Sequence, residues 1–438
     1  MRSLLAFALV AAFLAGCAQG PATPAPAPCL PAGWSERAAT PRAVSASEVS
    51  LAVDPTDPLH VVAAANSGGG FGIYTTRDGG GNWTAQLVKS ADLFGPEGNA
   101  VLSLSDPSVA FSPDGKAHVA GLAYIPASSV FVATQAKGST AWTGTFAWLS
   151  EPVATSNDKE WLGIDQKTGT MVLAWQREPL LDQLRTVDTD TKGATDVDVG
   201  LIVASRSTDG GATWSTPVTV STSLHNNGTQ VAFLHGVAHL VWVDYEQPAL
   251  VESVSTDQGQ TWSAPKTIAK ISIGHAFQGF TRMHTLPGLA AGNGTLAVTW
   301  HDSRNDAGDV YVLLGDGKAW GQPERVPDDP LGSGRIQLYP WDAIDAAGNL
   351  HVTYASGDTD AFTYRHIERA RNGTWSAPND LSQPFHVIAN ATAAASDIGD
   401  YTGAAFGGGR LYAAWAQPQP KGAAGSAVHV AALAPPSC

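Results

Sequence analysis

Cysteine is scarce in this chain: three residues, Cys17, Cys29 and Cys438, among 438. So few thiols exclude a disulfide-stapled miniature scaffold or a thiolate-rich zinc module. Positive charge is also short, with 25 Lys and Arg against 39 Asp and Glu and a formal net charge of −14. That balance argues against nucleic acid or an anionic lipid surface as a partner, because both demand a basic patch. No apolar run after residue 16 is long enough for a transmembrane helix. What the chain does hold is 46 Gly, 28 Pro and 14 Trp. Turn formers and large flat rings suit an all-β protein with many tight corners.

The first residues read as a targeting segment. Arg2 gives a positive start, Leu4 to Leu14 is apolar but too short to span, and Leu14-Ala15-Gly16-Cys17 closes it. That tetrapeptide resembles the bacterial lipobox, which implies removal of residues 1–16 and acylation of Cys17. Ala18 follows in place of Asp, which favours outer-membrane or surface anchoring. Residues 17–33 then form a linker in which Pro21 to Pro28 reads as a polyproline II spacer, and residues 34–438 form the folded body. The membrane is thus expected as a partner only through the lipid. In an oxidising envelope, the two remaining thiols, Cys29 and Cys438, are expected to pair.

One phrase occurs three times: Thr76-Arg77-Asp78-Gly79-Gly80-Gly81-Asn82-Trp83, Ser207-Thr208-Asp209-Gly210-Gly211-Ala212-Thr213-Trp214 and Ser255-Thr256-Asp257-Gln258-Gly259-Gln260-Thr261-Trp262. Asp and hydroxyl oxygens can accept amide hydrogens inside a tight turn, Gly supplies positive φ, and Trp packs over the result. Repetition at this scale points to a repeat architecture. The phrase resembles the Asp-box of sialidase-like (BNR-repeat) β-propellers. The resemblance implies a ring of four-stranded antiparallel blades, with Asp78, Trp83, Asp209, Trp214, Asp257 and Trp262 as structural residues.

Between the turns run paired apolar segments, the second often ending in an aromatic. Seven such pairs can be counted, from Val49–Asp54 with His60–Ala65 to Tyr401–Phe406 with Arg410–Trp415. Seven blades fit the period, or six if one unit is an insertion. The last unit lacks an outer strand, and the stretch from Trp34 to Val44 can supply it and close the ring.

In such a ring the segments before each inner strand and after each second strand share one end. They carry most of the chemistry, and the central funnel is expected to open there. The expected ligand-binding residues are Glu160, Arg177, Arg282, Arg304, Tyr339 and Asp342. Their guanidinium forks, phenol and carboxyl groups suit an anionic or hydroxyl-rich ligand. The resemblance to sialidases implies, for a hydrolase, a tyrosine nucleophile, Tyr401 or Tyr339, with Asp106, Asp158 or Asp302 as the acid. The family's first-blade Arg-Ile-Pro motif is not matched; Arg42 is the nearest arginine. The favoured reading is therefore recognition of a glycan or an envelope protein, then sialoside hydrolysis, then a structural assembly platform. No cofactor is specified. Clustered acidic oxygens would suit Ca²⁺ and His225, His275, His284 and His301 a transition metal, but no spacing is diagnostic.

Overall fold

The computed structural model describes residues 33–38, 45–125, 127–150, 155–179, 200–273, 285–306, 308–358, 361–386, 399–418 and 425–434. Seven four-stranded antiparallel sheets form a ring, a seven-bladed β-propeller, so the count of seven holds. The inner strands of blades 1 to 7 are, in order, Ala46–Asp54, Leu104–Phe111, Thr155–Ile164, Asn226–Leu234, Gly288–Gly292, Ile336–Ile344 and Gly403–Gly407. Outer strands are short, only two residues in blades 3, 5 and 6. One departure from the all-β expectation is a short helix, Ser90–Phe94, between blades 1 and 2, where Phe94 stacks on Phe146 with centroids 4.5 Å apart.

Blade 7 is completed from the far end of the chain. Gly33–Ala38 pairs antiparallel with Ser426–Ala434, Gly33 opposite Ala434 and Ala38 opposite His429. The closing strand inferred from sequence is therefore present; it covers the start of the expected segment and begins one residue before it, at Gly33. Cys17, Cys29 and Cys438 lie outside the described residues.

The core is a set of layers between neighbouring blades. Second strands end in Trp175, Trp242, Trp300, Tyr354 and Trp415, each almost wholly buried. Their indole nitrogens are satisfied locally, Trp175 Nε1 donating to Asn157 Oδ1 at 2.7 Å and Trp242 Nε1 to Asn226 Oδ1 at 2.9 Å. This explains the aromatic ending seen in sequence: the ring fills the inter-blade layer, and the indole donor finds a partner at the inner strand in blades 3 and 4 and two residues along its own strand in blades 5 and 7.

The three repeated turns share one geometry. Asp209 accepts from Ser207 Oγ, Thr213 N and Thr213 Oγ1 at 2.7, 2.9 and 2.5 Å, while Gly211 N donates to Ser207 Oγ. Asp78 and Asp257 do the same in blades 1 and 4. These bonds hold the Asp209 and Asp257 carboxyls down to about 2. Trp83, Trp214 and Trp262 each pack onto the layer shared with the preceding blade.

Candidate functional site

In five blades the inner strand carries one extra residue near its start, a bulge between Ser47 and Ser50, Ser105 and Ser108, Asp158 and Trp161, Asn227 and Gln230, and Leu338 and Trp341. The first bulged residue is left-handed every time: Glu48, Asp106, Lys159, Gly228 and Tyr339, with φ of 57°, 60°, 49°, 71° and 51°. Four of these are not glycine, and each such conformation costs on the order of 1–3 kcal/mol. Hydroxyls just beyond the bulges stitch neighbouring blades together and hold the strain in place. Ser50 Oγ accepts from Val109 N and Ser108 Oγ from Leu162 N, while Thr229 Oγ1 donates to the Lys159 carbonyl. Bulges re-aim side chains, and here they bring charge from different blades together at the axis.

Lys159 is the centre of that cluster. Its ammonium lies 3.2 Å from Glu48 Oε1, 3.1 Å from Asp106 Oδ2 and 2.9 Å from Asp400 Oδ2, which come from blades 1, 2 and 7. An ammonium has three hydrogens, so these three carboxylates use it fully. Burial works to deprotonate Lys159, yet Asp106, Asp400 and Glu48 outweigh it and hold the ammonium well above its usual range. Burial, joined by Asp106, drives the Glu48 carboxyl well upward. Burial also opposes ionisation of Asp106, but Lys159 and the bond to Glu48 prevail and keep it low.

Beneath the cluster lies an aromatic plug. Trp161, Trp341 and Tyr401, from blades 3, 6 and 7, have centroids 5.0, 5.8 and 6.2 Å apart pairwise. The Tyr401 hydroxyl donates to the Pro107 carbonyl at 3.2 Å. Burial, with Glu48, Asp106 and Glu160 nearby, pushes the phenol well above its ordinary value. That is the opposite of what activates a phenolate nucleophile. Glu160 lines the same small cavity, is 2% exposed, and is also driven upward by burial and Asp106.

The residues inferred from sequence divide into groups. Tyr401 and Glu160 meet at the axis, and Asp158 sits beside Lys159 on the same bulge. Tyr339 lines a neighbouring cavity between blades 6 and 7 with Tyr364, Trp415 and Tyr401. Asp302 and Arg304 stand apart, at the junction of blades 4 and 5. Asp302 accepts from Arg304 Nε at 2.8 Å, Trp300 Nε1 at 3.0 Å and Ser272 N at 3.1 Å, and Arg304 also donates to the Lys270 carbonyl. Arg177 lies over the Trp148 ring at 4.4 Å, between blades 2 and 3. Asp342 is buried in blade 6, where desolvation raises it to about 8. Arg282 lies outside the described residues, as do His275 and His284. Thus the expected end of the ring is the one that gathers charge, but the visible arginines do not converge on one pocket. Among the described residues no group of His, Cys, Asp and Glu is arranged to hold a metal ion.

Lys159 and Asp400 were overlooked as principal residues because a sequence does not show which way a bulge turns a side chain. The available signal was the recurring Ser-x-x-Ser at Ser47–Ser50 and Ser105–Ser108, which aligns Glu48 with Asp106. A cavity of about 590 Å³ opens at the other end of the axis, beside the repeated turns. It is walled by the ends of the inner strands, including Val53, Phe111, Ile164, Phe233 and Phe406. At the charged end the bulged strands and aromatic plug narrow the axis.

No protein-family model matches this sequence, and no curated protein is detectably similar to it. Solved structures do align. The Hadza microbial sialidase Hz136 superposes with a TM-score of 0.50 at 12% identity, over 86% of this chain and 73% of that one. A variant of the NanB sialidase from Streptococcus pneumoniae gives 0.49 at 8%, over 86% and 83%. A protein of unknown function from Dyadobacter fermentans gives 0.47 at 12%, over 91% and 97%. At such identities the likeness is one of fold, and in fold this chain is a β-propeller similar to sialidases.

Proposed function

We propose that this protein is a lipid-anchored envelope propeller that binds a glycan or a protein partner at its charged end and does not cleave it. The observation that supports this reading is how the groups needed for sialoside hydrolysis are engaged. The Tyr401 hydroxyl is spent on the Pro107 carbonyl, and Arg304 on Asp302 and the Lys270 carbonyl. A sialic acid carboxylate needs converging guanidinium forks. A rigid ring of bulges drawing Glu48, Asp106, Lys159 and Asp400 from four blades suits recognition, since preorganised groups lose little on binding.

The test is a glycan array run alongside turnover of fluorogenic sialosides by the same preparation. Binding without turnover is expected. Turnover by the wild type that disappears in Tyr401→Phe would overturn the proposal in favour of an exo-α-sialidase. One observation favours that second reading: Tyr401, Asp106 and Glu160 line one cavity.

A further inference from the structure

The cavity beneath the Lys159 cluster contains an imbalance that the cluster does not resolve. Both carboxyl oxygens of Glu160 lack a hydrogen-bond partner on any other described residue, although the side chain is 98% buried. Gln230 Oε1, from blade 4, lines the same cavity, is equally without a partner, and belongs to a residue only 4% exposed. The nearest cation offers no relief, because the three hydrogens of Lys159 go to Glu48, Asp106 and Asp400. The Tyr401 hydroxyl is used by the Pro107 carbonyl. An orphaned carboxylate in such a place is expensive unless it is paired or coordinates an ion.

The space between these oxygens is about 10 Å³, room for a single water-sized species. Its unmet polar groups are acceptors: two carboxyl oxygens and one amide oxygen. A direct Glu160–Gln230 hydrogen bond would satisfy both if Glu160 held a proton, but none is formed. The vacant requirement is therefore for something that only donates. Trp161, Trp341 and Tyr401 also line it, together with Asp106 and its partner Lys159, and indole faces attract cations.

We propose that this cavity binds one small monovalent cation of the sodium, potassium or ammonium class, ligated by Glu160 and by Gln230 Oε1. Such an ion is satisfied by a single carboxylate and neutral oxygens, whereas zinc favours a tetrahedron of nitrogen and sulfur ligands and calcium gathers about six to eight oxygens. It would neutralise Glu160 and tie blade 3 to blade 4 just below the charged rim.

The experiment is thermal unfolding of the full chain in NaCl, KCl and NH4Cl against choline chloride at equal ionic strength, with CaCl2 as a further arm. Saturable stabilisation by one of the small monovalent ions over choline is expected, amounting to a rise of several degrees. Glu160→Gln should abolish the ion dependence, and Gln230→Leu should weaken it if the first variant folds poorly. Crystals soaked in thallium(I) should show an anomalous peak between Glu160 and Gln230. Identical melting in all chloride salts, with no thallium peak, would overturn the proposal and leave a water beside a protonated Glu160. Stabilisation by calcium alone would overturn the monovalent assignment. Neither result depends on whether the protein binds a glycan.

Discussion

Replacing Lys159 by Met tests the axial cluster directly. The substitution keeps side-chain length and the left-handed backbone, but removes the cation shared by Glu48, Asp106 and Asp400. Deleting one partner of a buried ion pair typically costs about 3–5 kcal/mol, because the other charge stays behind unpaired. At about 2.1 cal/mol/K of unfolding entropy per residue, a body of some 400 residues should melt roughly 4–6 °C lower. The pH dependence is the sharper readout. Lys159 is raised in the fold, so its contribution is complete below the unfolded lysine value of about 10.4 and fades as pH rises beyond it. Asp106 is lowered, so its contribution exists above the unfolded value of about 3.9 and fades as pH falls. The gap between wild type and variant should thus be widest from about pH 5 to 9 and close in acid, where the variant's carboxylates take up protons. Differential scanning fluorimetry from pH 4 to 9 measures it. An unchanged melting temperature at pH 7.5, or a gap of constant size across the range, would refute the cluster as an electrostatic keystone.

Trp214→Ala should destabilise by up to roughly 3–5 kcal/mol through the cavity left between blades 2 and 3, with ligand affinity below the melting transition unchanged. Asp342 is raised to about 8 in the fold, so the fold binds its proton more tightly than the unfolded chain does. Its contribution is full below about pH 4 and declines until about pH 8; Asp342→Asn should flatten that decline in a pH series of melting curves. Gly33 stands opposite Ala434, and in sequence Cys29 precedes the one by four residues and Cys438 follows the other by four. Non-reducing peptide mapping should recover these two cysteines linked, and free thiols in protein purified from its envelope would count against the pairing. Cys17→Ser should move the protein from the detergent phase to the aqueous phase, whereas unchanged partitioning would remove the lipid anchor.

The ring was readable because its signals are local and repeated. Asp209, Gly210, Gly211 and Trp214 specify one turn by themselves, and three copies specify an architecture. The closing strand was readable for a different reason: blade 7 came up one strand short while Trp34 to Val44 had no other role. The site was legible only by end of the ring. Asp302 and Asp106 look alike in sequence, yet one is saturated by Arg304, Trp300 and Ser272 while the other faces Lys159 across the axis. That difference is set by the bulge that turns Asp106 toward a lysine from another blade, which periodicity does not encode.

The strand that completes blade 7 also sets an order of events. Residues 33–38 belong to a sheet whose other members begin at Gly403. During synthesis that first strand must therefore remain without its partner while six blades are assembled. Loop-closure entropy grows only slowly with length, so the final joining is thermodynamically cheap. It is nonetheless late, and until then both Gly33–Ala38 and the open side of Ser426–Ala434 are unpaired edges able to join other chains. A chain that loses its last few dozen residues would keep six blades and still be unable to become a ring. Damage at the carboxyl terminus should accordingly surface as aggregation at the amino terminus, with quality control of the whole molecule resting on one clasp.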